Sequence, residues 1–597
     1  MNFVTAALAL ALAGQAPGGP HRFDLSASDF LLDGKPFEIR SGEMHPSRIP
    51  EQYWRQRIRM AKAMGLNTIA IYVFWNFQEP EEGKFDFSTG RHNLGEFLNE
   101  CKEEGMWVLL RPGPYCCGEW DFGGIPPYLL KYPDIKVRCM DPRYVAAVKR
   151  YLGKLASVVK PYQVTNGGPI LMVQLENEYG SYGNDREYIA MLHGLWKDDG
   201  IDVPFYTADG PTTFMLEAGS YPGCAVGMDS GLSNDDYALA SKMNPGVPAF
   251  SSETYPGWLT HWGEKWARTD TDSIVGSVKW LLDNHKSFNL YMVHGGTNFG
   301  FTAGANSGGH GYEPDLTSYD YDAPITEQGR ATPKYMALRD LISKERPEAQ
   351  VPPVPDPVPA ADIPEISISR IGSMLDHLPT PVAMPQPKPF EELGQSTGCI
   401  LYRTKLIGHK SGRLTVKDVH DWALVFEDGA LVGTLDRREG KNSITLPEPK
   451  SAVPTLDILV EGMGRINFSQ DLIDRKGITD RVTLDGMTLM EWQGYRFPLD
   501  DSWAASFRPT TEPFKAASMF DGTFDLTNPA DTYLDMSGYQ KGYVWVNGHN
   551  LGRYWKIGPQ MRLYCPAPWL KKGRNDIRVL DFLAETPAGI KGYSEAG

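Results

Sequence analysis

Between residues 35 and 345, short apolar runs of strand type alternate with amphipathic helical segments. This alternation restricts the segment to parallel-sheet architectures, because a parallel neighbour is reached only through a helix-length crossover. Eight runs read as strands: Glu38–Arg40, Thr68–Phe74, Trp107–Arg111, Ile170–Leu175, Phe205–Ala208, Ala225–Met228, Ala249–Ser252 and Asn289–Val293. A helix over Asn93–Glu104 aligns Leu94, Phe97, Leu98 and Cys101 before Gly105 stops it. Another over Arg143–Lys160 aligns Val145, Val148, Leu152 and Leu155 before Pro161. Thr332-Pro333 supplies a capping hydroxyl followed by proline in the first turn. Eight strands with mostly helical crossovers predict an α/β fold, a (β/α)8 TIM barrel over residues 25–345.

The stretch Val351-Pro352-Pro353-Val354-Pro355-Asp356-Pro357-Val358-Pro359 is too proline-rich for a helix and reads as a stiff linker within residues 346–365. Beyond it the apolar period changes to two and turn signals crowd in. Val425–Gly433 and Val544–Gly552 resemble each other, each placing Asp-Gly or Asn-Gly between apolar β runs, a strong hairpin signal. Two β-sandwich domains are expected, over 366–494 and 495–597. Bracing the barrel is the favoured role for them over binding sugar.

At 597 residues with 41% hydrophobic content, the chain has the composition of a multidomain globular protein. Its net charge of −15 argues against a nucleic-acid or anionic-membrane partner and fits a neutral ligand. The 15 Trp and 28 Tyr suit sugar-stacking clefts as well as cores. Phe3–Ala13 is apolar, and Gly14 and Ala16 suit a cleavage site. Residues 1–16 therefore read as a signal peptide, although the start lacks Lys and Arg, and export to the periplasm or outside is expected. The alternative is an apolar start without structure. The seven cysteines form no metal-type Cys-x-x-Cys pair and no disulfide framework.

Two carboxylate motifs carry the chemistry: Gln174-Leu175-Glu176-Asn177-Glu178-Tyr179-Gly180 and Ser251-Ser252-Glu253-Thr254-Tyr255-Pro256-Gly257-Trp258. Each follows a strand, at the barrel end where such folds keep their active sites. They would come from the fourth and seventh strands and face each other across the mouth. Glycoside hydrolysis uses two carboxyl groups, about 5–5.5 Å apart in retaining enzymes and about 6.5–9.5 Å apart in inverting ones. One of them must hold a proton near neutrality, which burial and a neighbouring negative charge provide. Strand alternation lets only one of Glu176 and Glu178 point productively into the mouth. Glu253 needs donors to stay ionised, with Tyr321 as one candidate and Tyr255, Trp258 and Trp262 nearby in sequence. Taken singly, each glutamate reads as well as a surface or capping residue. Asp320 and Asp322 lack the glycine and carbonyl pattern of a calcium loop.

Glu43 and His45, Tyr72 with Trp75-Asn76, Arg111–Tyr115, Glu119-Trp120 and Gly295–Asn298 fall at the same strand ends. Further segments stand out: Ser41-Gly42-Glu43-Met44-His45, Trp75-Asn76-Phe77-Gln78-Glu79-Pro80, Arg111-Pro112-Gly113-Pro114-Tyr115, Gly167-Gly168-Pro169-Ile170, Gly295-Gly296-Thr297-Asn298-Phe299-Gly300 and Thr317–Pro324. With the two glutamate motifs they resemble the β-galactosidases of glycoside hydrolase family 35, along nearly the whole mature chain. The resemblance implies galactose-binding-like, jelly-roll sandwiches after the barrel, no metal and no cofactor. It implies exo-acting, retaining release of terminal β-galactosyl residues from oligosaccharides or glycoconjugates. Glu178 would be the acid/base, Glu253 the nucleophile and Asn177 the partner of the 2-hydroxyl. Tyr72, Glu119, Tyr321 and the backbone at Cys117 and Gly118 would select galactose, with Trp258 in the cleft wall. Gly118, Phe301 and Thr254 depart from residues common in the family. Self-association stays open, as do two rival readings: an exo-glycosidase for another sugar, such as a β-glucosaminide, and a silent carbohydrate-binding protein.

Overall fold

The computed structural model describes residues 19–308, 311–408, 411–511 and 515–597. The expected signal peptide, residues 1–16, lies outside the described residues. Eight parallel strands close into one barrel: β1 (Arg40–Glu43), β2 (Thr68–Tyr72), β3 (Trp107–Arg111), β4 (Ile170–Gln174), β5 (Phe205–Asp209), β6 (Ala225–Asp229), β7 (Ala249–Thr254) and β8 (Phe288–Leu290). The helices are α1 (Trp54–Ala63), α2 (Leu94–Glu103), α3 (Pro142–Val159), α4 (Arg186–Asp198), α5 (Thr213–Gly219), α6 (Asn234–Met243), α7 (Thr271–Asp283) and α8 (Pro333–Glu345). One follows each strand, so the fold is a (β/α)8 barrel.

Local chemistry explains the helices. On α2, Asn93 accepts the Glu96 amide, and Leu94, Phe97, Leu98 and Cys101 are buried together, as their spacing predicts. On α8, the Thr332 side chain caps the Tyr335 amide ahead of Pro333. Seven of the eight strands differ from expectation at a boundary, most at the first and the eighth. The first strand begins at Arg40 rather than Glu38, whose carboxylate is taken by Arg40 and Arg346. The eighth ends at Leu290, because Tyr291 and Met292 form a turn. Apolar periodicity does not mark where a ladder stops.

Downstream, one sandwich pairs a six-stranded sheet, running from Val382–Met384 to Trp492–Phe497, with a four-stranded sheet. The other pairs a five-stranded with a four-stranded sheet. Ile363–Ile366 and Ile368–Ser373 belong to this second sandwich, pairing with Ile590–Tyr593 and Ser518–Leu526. The linker therefore enters the C-terminal sandwich first, and the chain then builds the middle sandwich and returns. A period of two identifies a strand without saying which sheet it joins, so a boundary at residue 366 was drawn across this excursion.

The three parts share one apolar core. Trp262, Tyr312 and Leu316 of the barrel loops pack with Trp422, Phe426 and Leu459 of the middle sandwich and Tyr543, Trp545 and Trp555 of the last. Each such side chain contributes roughly 1.5–3 kcal/mol by burial, which fixes the loops above the barrel. All seven cysteines are free thiols. Among the described residues, no helix is long and apolar enough to cross a membrane.

Candidate active site

The mouth of the barrel is built from strand ends. β4 stops at Gln174, and the backbone then turns left-handed at Glu176 (φ 59°) and Glu178 (φ 48°). Such a conformation costs a non-glycine residue of order 1–3 kcal/mol and breaks strand alternation. The two side chains therefore diverge. Glu176 turns into the protein and takes a bidentate pair from Arg138, at 2.9 Å from Nε and 2.7 Å from Nη2, with Tyr188 at 3.1 Å. Glu178 points elsewhere and receives one amide hydrogen bond, from Asn177 Nδ2 at 3.3 Å.

Glu253 sits on β7 beside a bulge. Ser251 pairs with Met228 and Glu253 with Asp229, so Ser252 is the extra residue. Bulges of this kind re-aim neighbouring side chains. The Glu253 carboxylate is 5% exposed and receives Arg111 Nη2, the Tyr255 hydroxyl at 2.9 Å and the Tyr72 hydroxyl at 3.3 Å. These are Tyr and Arg donors, as the sequence suggests, but Tyr321, the one candidate named, is not among them; its ring lies against Tyr291, Tyr319 and Trp258. Asn177 joins the two glutamates. Its Oδ1 accepts from Tyr72 and from Arg111 Nη2, both at 3.0 Å and both also on Glu253, while its Nδ2 reaches Glu178.

The electrostatics separate the pair. Burial and the Glu253 charge push Glu178 up to about 8. Burial also raises Glu253, but the Arg111 cation and the Tyr255 hydroxyl oppose it. A proton shared by the two therefore rests on Glu178, which among the described residues has no ion-pair partner.

The remaining residues named from the sequence divide between the surroundings of these carboxylates and more distant contacts. Glu119 is 7% exposed, accepts from the Tyr319 hydroxyl and is raised by burial. Cys117, Gly118 and Glu119 are all left-handed (φ 65°, 63° and 47°), and their carbonyls accept from the Trp120 amide, Arg48 and the Gly304 amide. The Cys117 thiol itself contacts Asn467 Oδ1 at 3.3 Å. A Cβ on Gly118 would meet the Phe74 ring at 3.2 Å. Trp258 is 51% exposed and sits edge-on to Tyr255 at 5.6 Å. Trp262 lies instead in the shared apolar core, 6.3 Å from Trp555. Phe301 packs on Tyr543, and Thr254 bonds Ser251 at 2.8 Å. Asp322 pairs with Lys334 at 2.8 Å, and Asp320 accepts the Glu327 amide at 2.7 Å.

Glu43, read from the sequence only as a polar strand-end residue, has a partner role, and Asp229 escaped the sequence reading. Glu43 is fully buried and binds Arg111, Asn289 at 2.8 Å and His45 at 3.1 Å, so it orients Arg111 toward Glu253. Asp229 ends β6, accepts from Ser252 at 2.8 Å, and is raised by burial and by the neighbouring Glu253 and Glu178. Its signal was present: an acid directly after the apolar run Ala225–Met228, as Glu253 stands after Ala249–Ser252.

The sandwiches brace the pocket loops. Arg465 of the middle sandwich binds Asp121 through its backbone amide (2.7 Å) and Nη1 (2.9 Å), and Asn467 O accepts the Tyr115 hydroxyl at 2.5 Å. In the last sandwich, Arg553 O and Gln560 hold Thr317 and Ser318 at 2.7 and 2.8 Å, just ahead of Tyr319 and Tyr321.

Comparison with known proteins matches this architecture part by part. Residues 29–345 match the family model of glycosyl hydrolases family 35. Residues 387–500 match the β-galactosidase first all-beta domain, and 517–575 the β-galactosidase galactose-binding domain. The chain is 41% identical to a β-galactosidase of Xanthomonas manihotis, over 94% of each chain. It is 39% identical to β-galactosidase 17 of Arabidopsis thaliana and 38% identical to the human β-galactosidase, in each case over 94% of this chain and 87% of the relative. The chain belongs to glycosyl hydrolases family 35, as a glycoside hydrolase of β-galactosidase type.

Proposed function

We propose that the protein is an exo-acting, retaining β-galactosidase that removes terminal non-reducing β-D-galactosyl residues from oligosaccharides or glycoconjugates. The observation that carries this reading is the unequal treatment of two adjoining carboxyls. Glu253 is held by a guanidinium and two phenols, whereas Glu178 is left with one amide and pushed up to about 8. The first suits a nucleophile and the second a proton donor.

In the first step a Glu253 carboxylate oxygen bonds to the anomeric carbon while the glycosidic C–O bond breaks. Glu178 gives its proton to the departing oxygen, and a galactosyl ester on Glu253 results. In the second step Glu178, now ionised, takes a proton from water as the water oxygen attacks the same carbon. The ester bond breaks, β-galactose leaves, and both carboxyls return to their starting states. Asn177, tied to Tyr72 and Arg111, faces the 2-hydroxyl position, and Glu119 with Tyr321 receives the sugar at C4 or C6. Export of the protein belongs to the same proposal, and N-terminal sequencing of the mature protein tests it.

The test combines a chromogenic glycoside panel with proton NMR of the first product. β-Galactosides are expected to be preferred and β-galactose to appear before mutarotation. Initial α-galactose would mean inversion, and preference for a glucosaminide would replace the substrate.

A further inference from the structure

One cluster outside the reacting carboxyls brings metal-type donors into a shared space. His261, Glu264 and Glu313 each place a donor atom within 4.8 Å of the others. His261 Nδ1 lies 3.1 Å from Glu264 Oε1, and its Nε2 lies 3.5 Å from Asp315 Oδ1. Both ring nitrogens are buried yet lack an aligned hydrogen bond, and Asp315 Oδ1 is buried without a partner as well. Asp315 is only 2% exposed, and its other oxygen accepts from Asn467 at 3.3 Å. Glu264 Oε2 takes the His261 backbone amide at 2.8 Å, which leaves Oε1 facing the imidazole. Buried polar atoms are normally satisfied, and so many unmet ones around one histidine call for a further ligand.

We propose that His261 Nδ1, Glu264 and Glu313 hold a divalent transition-metal ion of the zinc class. One imidazole with two carboxylates suits zinc, whereas calcium and magnesium prefer oxygen-only shells. Asp315 then plays the outer part, accepting the Nε2 proton, fixing the ring tautomer and making Nδ1 a better donor. Glu264 is half exposed, so the remaining coordination positions open to water.

The position gives the ion a purpose. His261 follows Glu253 on the segment that carries Trp258, and Glu313 and Asp315 precede the segment that carries Tyr319 and Tyr321. The two segments are already bridged at His261 and Asp315. An ion here clamps two walls of the sugar pocket without taking part in bond cleavage.

The test uses the full-length protein, stripped with a chelator and titrated with Zn2+ by calorimetry near neutral pH, with X-ray absorption on the loaded protein. One ion is expected, in a shell of nitrogen and oxygen at about 2.0–2.2 Å, with a higher melting midpoint. Glu264→Gln and Glu313→Gln should each weaken binding at least about tenfold, and Asp315→Asn by roughly 10–100-fold. Glu264 is exposed enough that its variant is expected to fold, and circular dichroism checks this. No uptake at millimolar Zn2+ would leave His261 as an ion-pair partner only and overturn the proposal. So would sulfur in the shell, or equal uptake by the Glu264→Gln/Glu313→Gln double variant.

Discussion

The barrel mouth and the seam between the two sandwiches both bury charged side chains, and they treat carboxylates in opposite ways. At the seam, Glu461 faces Lys541, Arg553 at 2.9 Å and the Tyr543 hydroxyl at 2.7 Å, and these cations hold it down to about 2. Lys541 is itself drawn to about 8 by burial and stays charged at neutral pH. At the mouth, Glu43 and Glu253 share Arg111, and burial with the Glu253 charge raises Glu178 to about 8. Burial is common to both places; the ratio of cations to anions differs. Where cations match or exceed carboxylates, the cluster fastens domains. Where carboxylates exceed cations, one of them keeps a proton that chemistry can use.

Breaking the mouth should have the largest effect. Glu253→Gln is expected to lower turnover of an unactivated galactoside on the order of 10^4-fold or more with little change in melting midpoint. Activity within tenfold of the native enzyme would break the contrast. Glu178→Ala should lose roughly 10^2–10^4-fold on poor leaving groups. Azide should restore part of the rate on a good leaving group and yield a galactosyl azide, detected by mass spectrometry.

Breaking the seam should act on stability. Glu461 is ionised in the fold down to about 2, against roughly 4.3 unfolded. Its contribution is therefore fully present above the unfolded value and is lost as pH falls through the folded one. Glu461→Gln should cost about 3–5 kcal/mol, as for a broken buried pair, read from denaturant melts at neutral pH. The KM of the folded enzyme should hold. Asp229→Asn should have the smallest effect. Burial and the Glu253 charge raise Asp229, so a neutral amide is tolerated in its place, and kcat/KM is expected to stay within a few-fold.

Much of this contrast was legible in the sequence, because both glutamates follow apolar strands and eight such strands make a barrel. What stayed hidden depended on pairing across long separations. No local pattern says that Arg138 would claim Glu176, that Tyr255 and Tyr72 rather than Tyr321 would hold Glu253, or that Arg465 would fasten the Asp121 loop. The path of the chain through the last sandwich at 363–373 was hidden for the same reason: strand periodicity is local, and sheet membership is not. Asp229 follows the run Ala225–Met228 as Glu253 follows Ala249–Ser252, but no motif around it marks it out, and its place beside Glu253 depends on strand pairing.

The account rests on Glu253's charge holding the proton on Glu178, and carbon-13 NMR titration of the Glu178 carboxyl measures that directly. A midpoint of about 8 in the native protein, falling clearly toward the ordinary carboxylate range in Glu253→Gln, is the predicted result. An ordinary midpoint in the native protein, or a raised one that the substitution leaves in place, would contradict it.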